Sequence, residues 1–147
     1  MVYKWAVSGL YPIDAQVAGE ELQRIYSAHG RIDAADVVEE SRAETAPLHK
    51  CFEWNDSVAA ELYREKQAMA VIRSVVVVNE DKQESPNVRA FVHVQSTYQP
   101  IRVVVDDDNK MNELLESALR ELQSFKRKYA ALSSLRPIID AIDALTA

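Results

Sequence analysis

The sequence predicts an α+β fold with a helical N-terminal half, a small antiparallel β-sheet, and a long C-terminal helix followed by a short terminal helix. Three observations predict it: apolar residues at helical spacing in the first half, a valine-rich stretch in the middle, and a heptad-like repeat near the end. The length fits a single domain over residues 1–147. Its expected parts are mainly helical at 1–72, β at 73–106 and C-terminal helices at 107–147.

The first residues predict a strand and a capped helix. Residues 2–7 alternate in the manner of a short strand. Asp14 can cap the helix that follows, and Gly30 can close it in the left-handed conformation. Gly19 lies in the middle of that helix, where glycine is less favourable than alanine by about 1 kcal/mol, so we expect another backbone to pass close to it.

Two short helices are predicted next. Asp33 opens the first, and Ile32 and Val37 can form an apolar staple across its start. The second begins at Pro47, which needs no amide partner in a first turn, and runs through Trp54. The side chains that this helix is expected to bury are Leu48, Cys51 and Phe52.

A long helix and a strand follow in one run. Asn55 is a candidate N-cap, and the helix is expected to end near Arg73, where the apolar period changes. The side chains on its predicted buried face are Val58, Leu62, Met69 and Ile72. The four β-branched residues Val75–Val78 favour a strand buried on both faces.

The strand predicted at Val75–Val78, called the valine strand below, is expected to form a hairpin of residues 72–79 and 88–95. The intervening 79–87 is polar and contains a proline, as expected of a loop. Residues 88–94 alternate, which indicates a half-buried antiparallel strand with Val88, Ala90, Val92 and Val94 on one side. Residues 101–105 fit either a third strand or a turn.

The last third predicts a long helix with an apolar seam. Seam residues recur at spacings of four and three, and Leu114 and Leu119 widen the stripe. The principal seam residues are Met111, Leu115, Leu122, Phe125 and Tyr129. The seam can pack inside its own domain or against a second copy, which leaves a homodimer open. Pro137 starts the short terminal helix.

Composition narrows the classes of function. Residues 1–75 carry eight basic against twelve acidic side chains, and residues 76–147 nine against eleven, so neither half is a basic module. The chain has one cysteine and no apolar run near 18 residues, so we expect a cytoplasmic protein without a disulfide, a membrane segment or a signal peptide.

No motif predicts an enzyme or a cofactor. Cys51 and His49 are two positions apart, so on a helix they point to different sides and cannot form a nucleophile–base pair. Asp106, Asp107 and Asp108 could hold a divalent cation, but they lack the glycine and distal glutamate of a calcium loop, and an acidic helix N-terminus explains them better. We therefore expect a non-enzymatic protein with no metal.

Two binding functions remain open. Residues 33–54 are spaced like a helix-turn-helix, which would direct basic side chains towards a nucleic acid. The candidate contacts are Arg42, His49, Lys50, Arg64 and Arg73. The alternative is an acidic protein-binding module that inhibits or recruits a host factor. Convergence of the basic residues on one face would favour nucleic acid, and a continuous acidic face would favour a protein.

Several segments resemble a group of small proteins encoded by tailed bacteriophages and prophages. The segments that carry the resemblance are YKW, DAQVAGEELQRI, PLHKCFEW, NDSVAAELYREKQA followed by IRS, and LLESALRELQSFKRKYAAL. The resemblance implies a viral or mobile-element context, hence a host bacterial cytoplasm, and it implies no catalytic residues.

Overall fold

The computed structural model describes residues 1–78 and 87–147 and confirms the α+β class. The helices of this part of the chain are α1 Ala15–His29, α2 Ala34–Glu40, α3 Val58–Ser74, α4 Ile101–Val105, α5 Asp108–Tyr129 and α6 Arg136–Thr146. Its strands are β1 Tyr3–Trp5, β2 Val75–Val77, β3 Val88–Arg89, β4 Phe91–Val94 and β5 Thr97–Pro100. The chain separates into two compact units, 1–104 and 105–147. The single domain stays a prediction.

In the first unit, the predicted N-terminal strand and valine strand are both present, and they pair in one sheet, which the sequence did not predict. β1, β2 and β3 form an antiparallel sheet in that order, with Lys4 opposite Val76 and Val77 opposite Val88. Val75 and Val76 are buried, as expected for β-branched residues covered on both faces. Most of the predicted loop at 79–87 lies outside the described residues.

Both ends of α1 are capped as the sequence predicts. The Asp14 side chain accepts a hydrogen bond from the Gln16 amide, and Gly30 adopts the left-handed conformation with φ 71° while its amide bonds to the Tyr26 carbonyl. The close approach at Gly19 is also present, but the neighbour is the aromatic ring of Tyr3 and not a backbone. Gly19 therefore lets β1 lie directly on α1.

The predicted single strand at 88–94 is wrong, because its residues are divided between two sheets. This stretch breaks at Ala90, whose amide and carbonyl bond to Val75 and Ile101, so β3 pairs with β2 and β4 pairs with β5. The turn between β4 and β5 has Gln95 and Ser96 at φ 53° and 66°. Because Gln-Ser lacks the glycine or asparagine that usually marks such a turn, the sequence did not reveal this hairpin.

Residues 101–105 are a short helix, neither the strand nor the turn left open by the sequence. The Ile101 amide bonds to the Ala90 carbonyl where β5 ends, and the following turn of α4 buries Val104. Packing of Val104 thus outweighs the β preference of three consecutive valines.

The core of the first unit joins its helices to both sheets. Ile32 and Tyr98 exchange two backbone hydrogen bonds of 3.1 and 3.0 Å, which tie the end of α1 to β5. The predicted staple of Ile32 and Val37 is fully buried. Other core residues are Leu22, Ile25, Val38, Leu48, Ile72, Val75 and Phe91. The sequence predicts one interior shared by the early helices, the valine strand and the final long helix. The early helices and the valine strand share an interior, whereas no residue of the final long helix, α5, is buried.

The second unit consists of α5, a 3₁₀ turn at Ser133–Leu135, and α6. Asp107 caps α5 by accepting from the amides of Asn109 and Lys110, as expected for the aspartates before the seam helix. α6 has its proline in the first turn, as predicted. It buries Ile139 and Ile142, whereas two other apolar residues expected on its packed side, Ile138 and Leu145, are exposed.

The substitution Gly19→Ala tests the packing of Tyr3 on α1. We expect it to lower the free energy of unfolding by about 1–3 kcal/mol, because the added methyl group overlaps the Tyr3 ring. At an open helix position the same change would raise that free energy by about 1 kcal/mol. Urea denaturation measures whether the free energy of unfolding falls or rises. In a Tyr3→Ala background the loss should disappear, and an equal gain in both backgrounds would contradict the contact.

Candidate functional site

The predicted helix-turn-helix lacks its second helix. α2 is followed by a turn and then by a single 3₁₀ turn at His49–Cys51, after which Phe52 is already extended with φ −123° and ψ 153°. The predicted helix from Pro47 through Trp54 is therefore wrong, although Leu48, Cys51 and Phe52 are buried as expected. One turn is too short to serve as a recognition helix that fills a major groove.

Side chains bind the backbone carbonyls where that helix is expected to continue. The Trp54 indole donates to the His49 carbonyl over 2.8 Å, and the Arg64 guanidinium donates to the carbonyls of Glu53 and Asn55, the latter over 2.7 Å. The His49 carbonyl also accepts from the Phe52 amide, so side-chain donors supplement the backbone bonds of the single turn. The sequence contains no local signal for this, because Arg64 lies about ten residues further along the chain.

Three of the five predicted nucleic-acid contacts converge on Trp54. The His49 ring stacks on the indole, with centroids 4.8 Å apart and planes 7° from parallel. The guanidinium groups of Arg64 and Arg42 lie 5.1 and 5.9 Å from the indole centroid. His49 also bonds through Nδ1 to the Ser41 carbonyl at 2.9 Å. This cluster joins α2, the 3₁₀ turn and α3.

Arg64 is placed differently from its prediction. The sequence puts it off the buried face of α3 and available to a phosphate, but its side chain is only 2% exposed. Besides the two carbonyls, it contacts a Glu61 carboxylate oxygen at 3.1 Å. Arg64 therefore holds the residue 53–57 segment against α3, and its role is structural.

The remaining basic residues do not form a common face. Arg42 is bound by Glu39 and Glu61 at 2.6 and 2.8 Å, and the hydrogen bond from Arg42 is the largest influence that lowers the pKa of Glu61. Lys50 is exposed on the 3₁₀ turn. Arg73 lies nine residues beyond Arg64, about 13 Å along α3, and donates to the Tyr98 hydroxyl at 3.0 Å.

The surroundings of these residues are strongly acidic. Residues 33–65 contain nine carboxylates and three Lys or Arg side chains. Two of those three cations, Arg42 and Arg64, already bind carboxylates within this stretch. On α1, Arg24 and His29 bind Glu40 at 2.6 and 2.9 Å, and these contacts lower the Glu40 pKa. The charge left over on this side of the unit is negative.

α3 exposes apolar residues that the sequence assigns to the core. Val58 is 83% exposed and Leu62 60% exposed, so the predicted face through them is wrong, although Ile72 is buried as expected. The buried side is formed by Arg64, Ala68, Val71 and Ile72. The helix is therefore rotated relative to its predicted orientation, with the Arg64 side chain pointing inward to its carbonyl partners. The N-cap is Ser57, which accepts from the Ala60 amide, and not Asn55.

This rotation creates a surface that we call the α3 face. Its apolar residues are Val58 and Leu62, one turn apart, and Tyr63, which is 56% exposed and flanks Leu62. Glu61 and Glu65 lie three residues from Val58 and Leu62, so they border the apolar residues on the helix surface. An exposed apolar patch with a polar rim is typical of a protein-binding surface. Lys66 adds one cation to the rim.

Other candidate reactive groups are inert or already satisfied. Cys51 is buried, and burial raises the pKa of its thiol to about 11. A surface cavity of about 380 Å³ borders Tyr3, Gln16 and Arg102, but the Gln16 amide is bonded to Met1, Tyr3 and Glu20. Among residues 1–78 and 87–147, no three His, Cys, Asp or Glu side chains are grouped to hold a metal.

In the same described ranges, no helix is long and apolar enough to cross a membrane. Comparison with protein-family models, curated proteins and solved structures finds no match. Function is therefore argued from the geometry of the α3 face and the charge around it.

Arg64→Met tests whether the guanidinium organises the segment before α3. We expect the free energy of unfolding to fall by about 2–4 kcal/mol, because methionine keeps the apolar stem but leaves two carbonyl groups without their donor and removes one of the two cations that bind Glu61. Lys66→Met, an exposed site on the same helix, should change it by less than about 0.5 kcal/mol. If urea denaturation gave the same loss for Arg64→Met and Lys66→Met, the role of Arg64 in organising the segment before α3 would be contradicted.

The Cys51 thiol should react slowly in the folded protein. With its pKa raised to about 11, the thiolate fraction at pH 8 is roughly a hundredfold below that of an ordinary cysteine. Labelling by a chromogenic disulfide should therefore be slow in buffer and fast in denaturant. A native rate close to the denatured rate would show that the thiol is accessible.

Proposed function

We propose that the chain is a non-enzymatic accessory protein of a phage or prophage, and that it acts in the bacterial cytoplasm by binding a host protein. The observation that carries the binding function is the exposure of Val58, Leu62 and Tyr63 on α3, next to residues 33–57, which contain seven carboxylates and two Lys or Arg side chains. The resemblance of the sequence to small phage and prophage proteins supports the context.

The chemistry of the α3 face defines the partner. Apolar side chains at the centre offer contact area, and an aromatic residue such as Tyr63 is typical of the residues that dominate binding energy. Glu65 at the rim and the acidic excess of residues 33–65 favour a partner with Lys or Arg around an apolar surface, and they accelerate its association. The partner is therefore a basic protein surface, such as the nucleic-acid cleft of a host enzyme.

Nucleic acid is the second candidate and the weaker one. A phosphate backbone requires unpaired cations at the interface, because affinity comes mainly from the counterions that they release. Arg42 and Arg64 are bound to carboxylates, and Arg73 lies at the opposite end of α3 from the Trp54 cluster. Lys50 remains exposed beside the 3₁₀ turn and is the residue that would favour this candidate.

Site-specific photocrosslinking in bacterial lysate, carried out with and without nuclease treatment, tests the proposal. With a benzophenone side chain at Leu62, we expect adducts with a discrete protein, whereas the same group at Ala28, exposed on α1, should give none. Glu65→Lys should reduce the adducts, and added salt should do the same, because both weaken attraction to a basic partner.

Two outcomes would contradict the proposal. Equal adducts at Leu62 and Ala28 would show that the α3 face has no specific partner. Adducts that vanish after nuclease treatment and are retained in the Glu65→Lys variant would favour nucleic acid, in which case Lys50→Glu should abolish them.

A further inference from the structure

The apolar seam of α5 is not buried within its own unit. No residue of α5 is buried, and the two seam residues nearest its N-terminus, Met111 and Leu115, are 43% and 55% exposed. Leu122, Phe125 and Tyr129 are partly covered but not buried, so each keeps some surface open to a further helix beside α6. A stripe of this length on a helix normally packs against another helix.

α6 reaches only the later part of this seam. The ion pair of Lys126 with Asp143 places the C-terminal part of α6 beside the last third of α5. α6 has 11 residues and α5 has 22, which correspond to helix lengths of about 16 and 33 Å. The turns of α5 around Met111 and Leu115 therefore lie beyond the reach of α6.

Charge along α5 is divided between its two ends. Residues 108–121 contain four carboxylates and two cations, whereas residues 122–129 contain three cations and no carboxylate. The cations include the run Lys126, Arg127 and Lys128, near the negative end of the helix dipole. A helix with this pattern is complementary to a reversed copy of itself.

We propose that a second copy of this chain docks antiparallel along α5. The seam is self-complementary in that orientation, because three apolar layers form in one register. Met111 faces Tyr129 of the second copy, Leu115 faces Phe125, and Ala118 faces Leu122. Each layer occurs twice around a two-fold axis, as in an isologous dimer. The axis passes near Arg120.

Layer volumes favour this orientation over a parallel one. In the antiparallel register the small Ala118 meets Leu122, and the aromatic residues Phe125 and Tyr129 meet aliphatic ones. A parallel register would set Ala118 against Ala118 and each aromatic ring against its own copy, leaving one layer underfilled and others crowded. It would also place the two Lys126–Lys128 runs side by side and align the helix dipoles.

The first test is the mass of the full chain in solution. At concentrations up to about 0.1 mM we expect sedimentation equilibrium to give twice the mass of the chain, because even a weak interface associates in this range. Leu115→Asp should give a monomer with unchanged helical content by circular dichroism. Val17→Asp, an equally apolar and exposed site on α1, should leave the dimer intact.

The second test fixes the orientation by cysteine crosslinking. A mixture of chains carrying Leu115→Cys and Phe125→Cys should form a mixed disulfide on mild oxidation. Leu115→Cys alone should not, since in the antiparallel dimer its two copies lie about 15 Å apart along the axis. The native Cys51 is buried and does not compete.

A monomer at all concentrations would overturn the proposal. So would efficient crosslinking of Leu115→Cys with itself, which would indicate a parallel pair. A dimer that survives Leu115→Asp would place the interface elsewhere. The α3 face lies in the other unit, so none of these outcomes affects the photocrosslinking test of the proposed function.

Discussion

The burial of Arg64 is the interaction on which the first unit depends. Its guanidinium binds two carbonyls of the segment before α3 and a carboxylate within α3, and it lies on the face of Trp54. A buried charge is stable only when its donors are satisfied, so this arrangement fixes both the segment and the rotation of the helix. The exposure of Val58 and Leu62 is a consequence of that rotation.

The same interaction explains why the basic residues do not form a nucleic-acid surface. Arg64 is drawn inward, and Arg42 is held by the glutamates of α2 and α3. What remains outside is an apolar centre with carboxylates around it. The proposed binding of a protein therefore rests on how the first unit is packed, and the proposed dimer rests on a separate helix of the second unit.

Features with a local cause could be predicted from the sequence. Asp14, Gly30 and Asp107 act at helix ends through their own side chain or backbone, and the valines of β2 suit a strand wherever it pairs. The turn at Gln95–Ser96, the helix at 101–105 and the inward rotation of Arg64 depend on distant partners. Of the candidate site, the sequence revealed the acidic charge but not the exposed apolar residues.

Hydroxyl-radical footprinting of the native protein, read by mass spectrometry along α3, tests most directly which side of this helix is exposed to solvent. The account predicts that Leu62 and Tyr63 are oxidised nearly as fast as in the denatured chain, while Ile72 is protected. Protection of Leu62 would contradict it, because α3 would then present to solvent the side on which Arg64 lies.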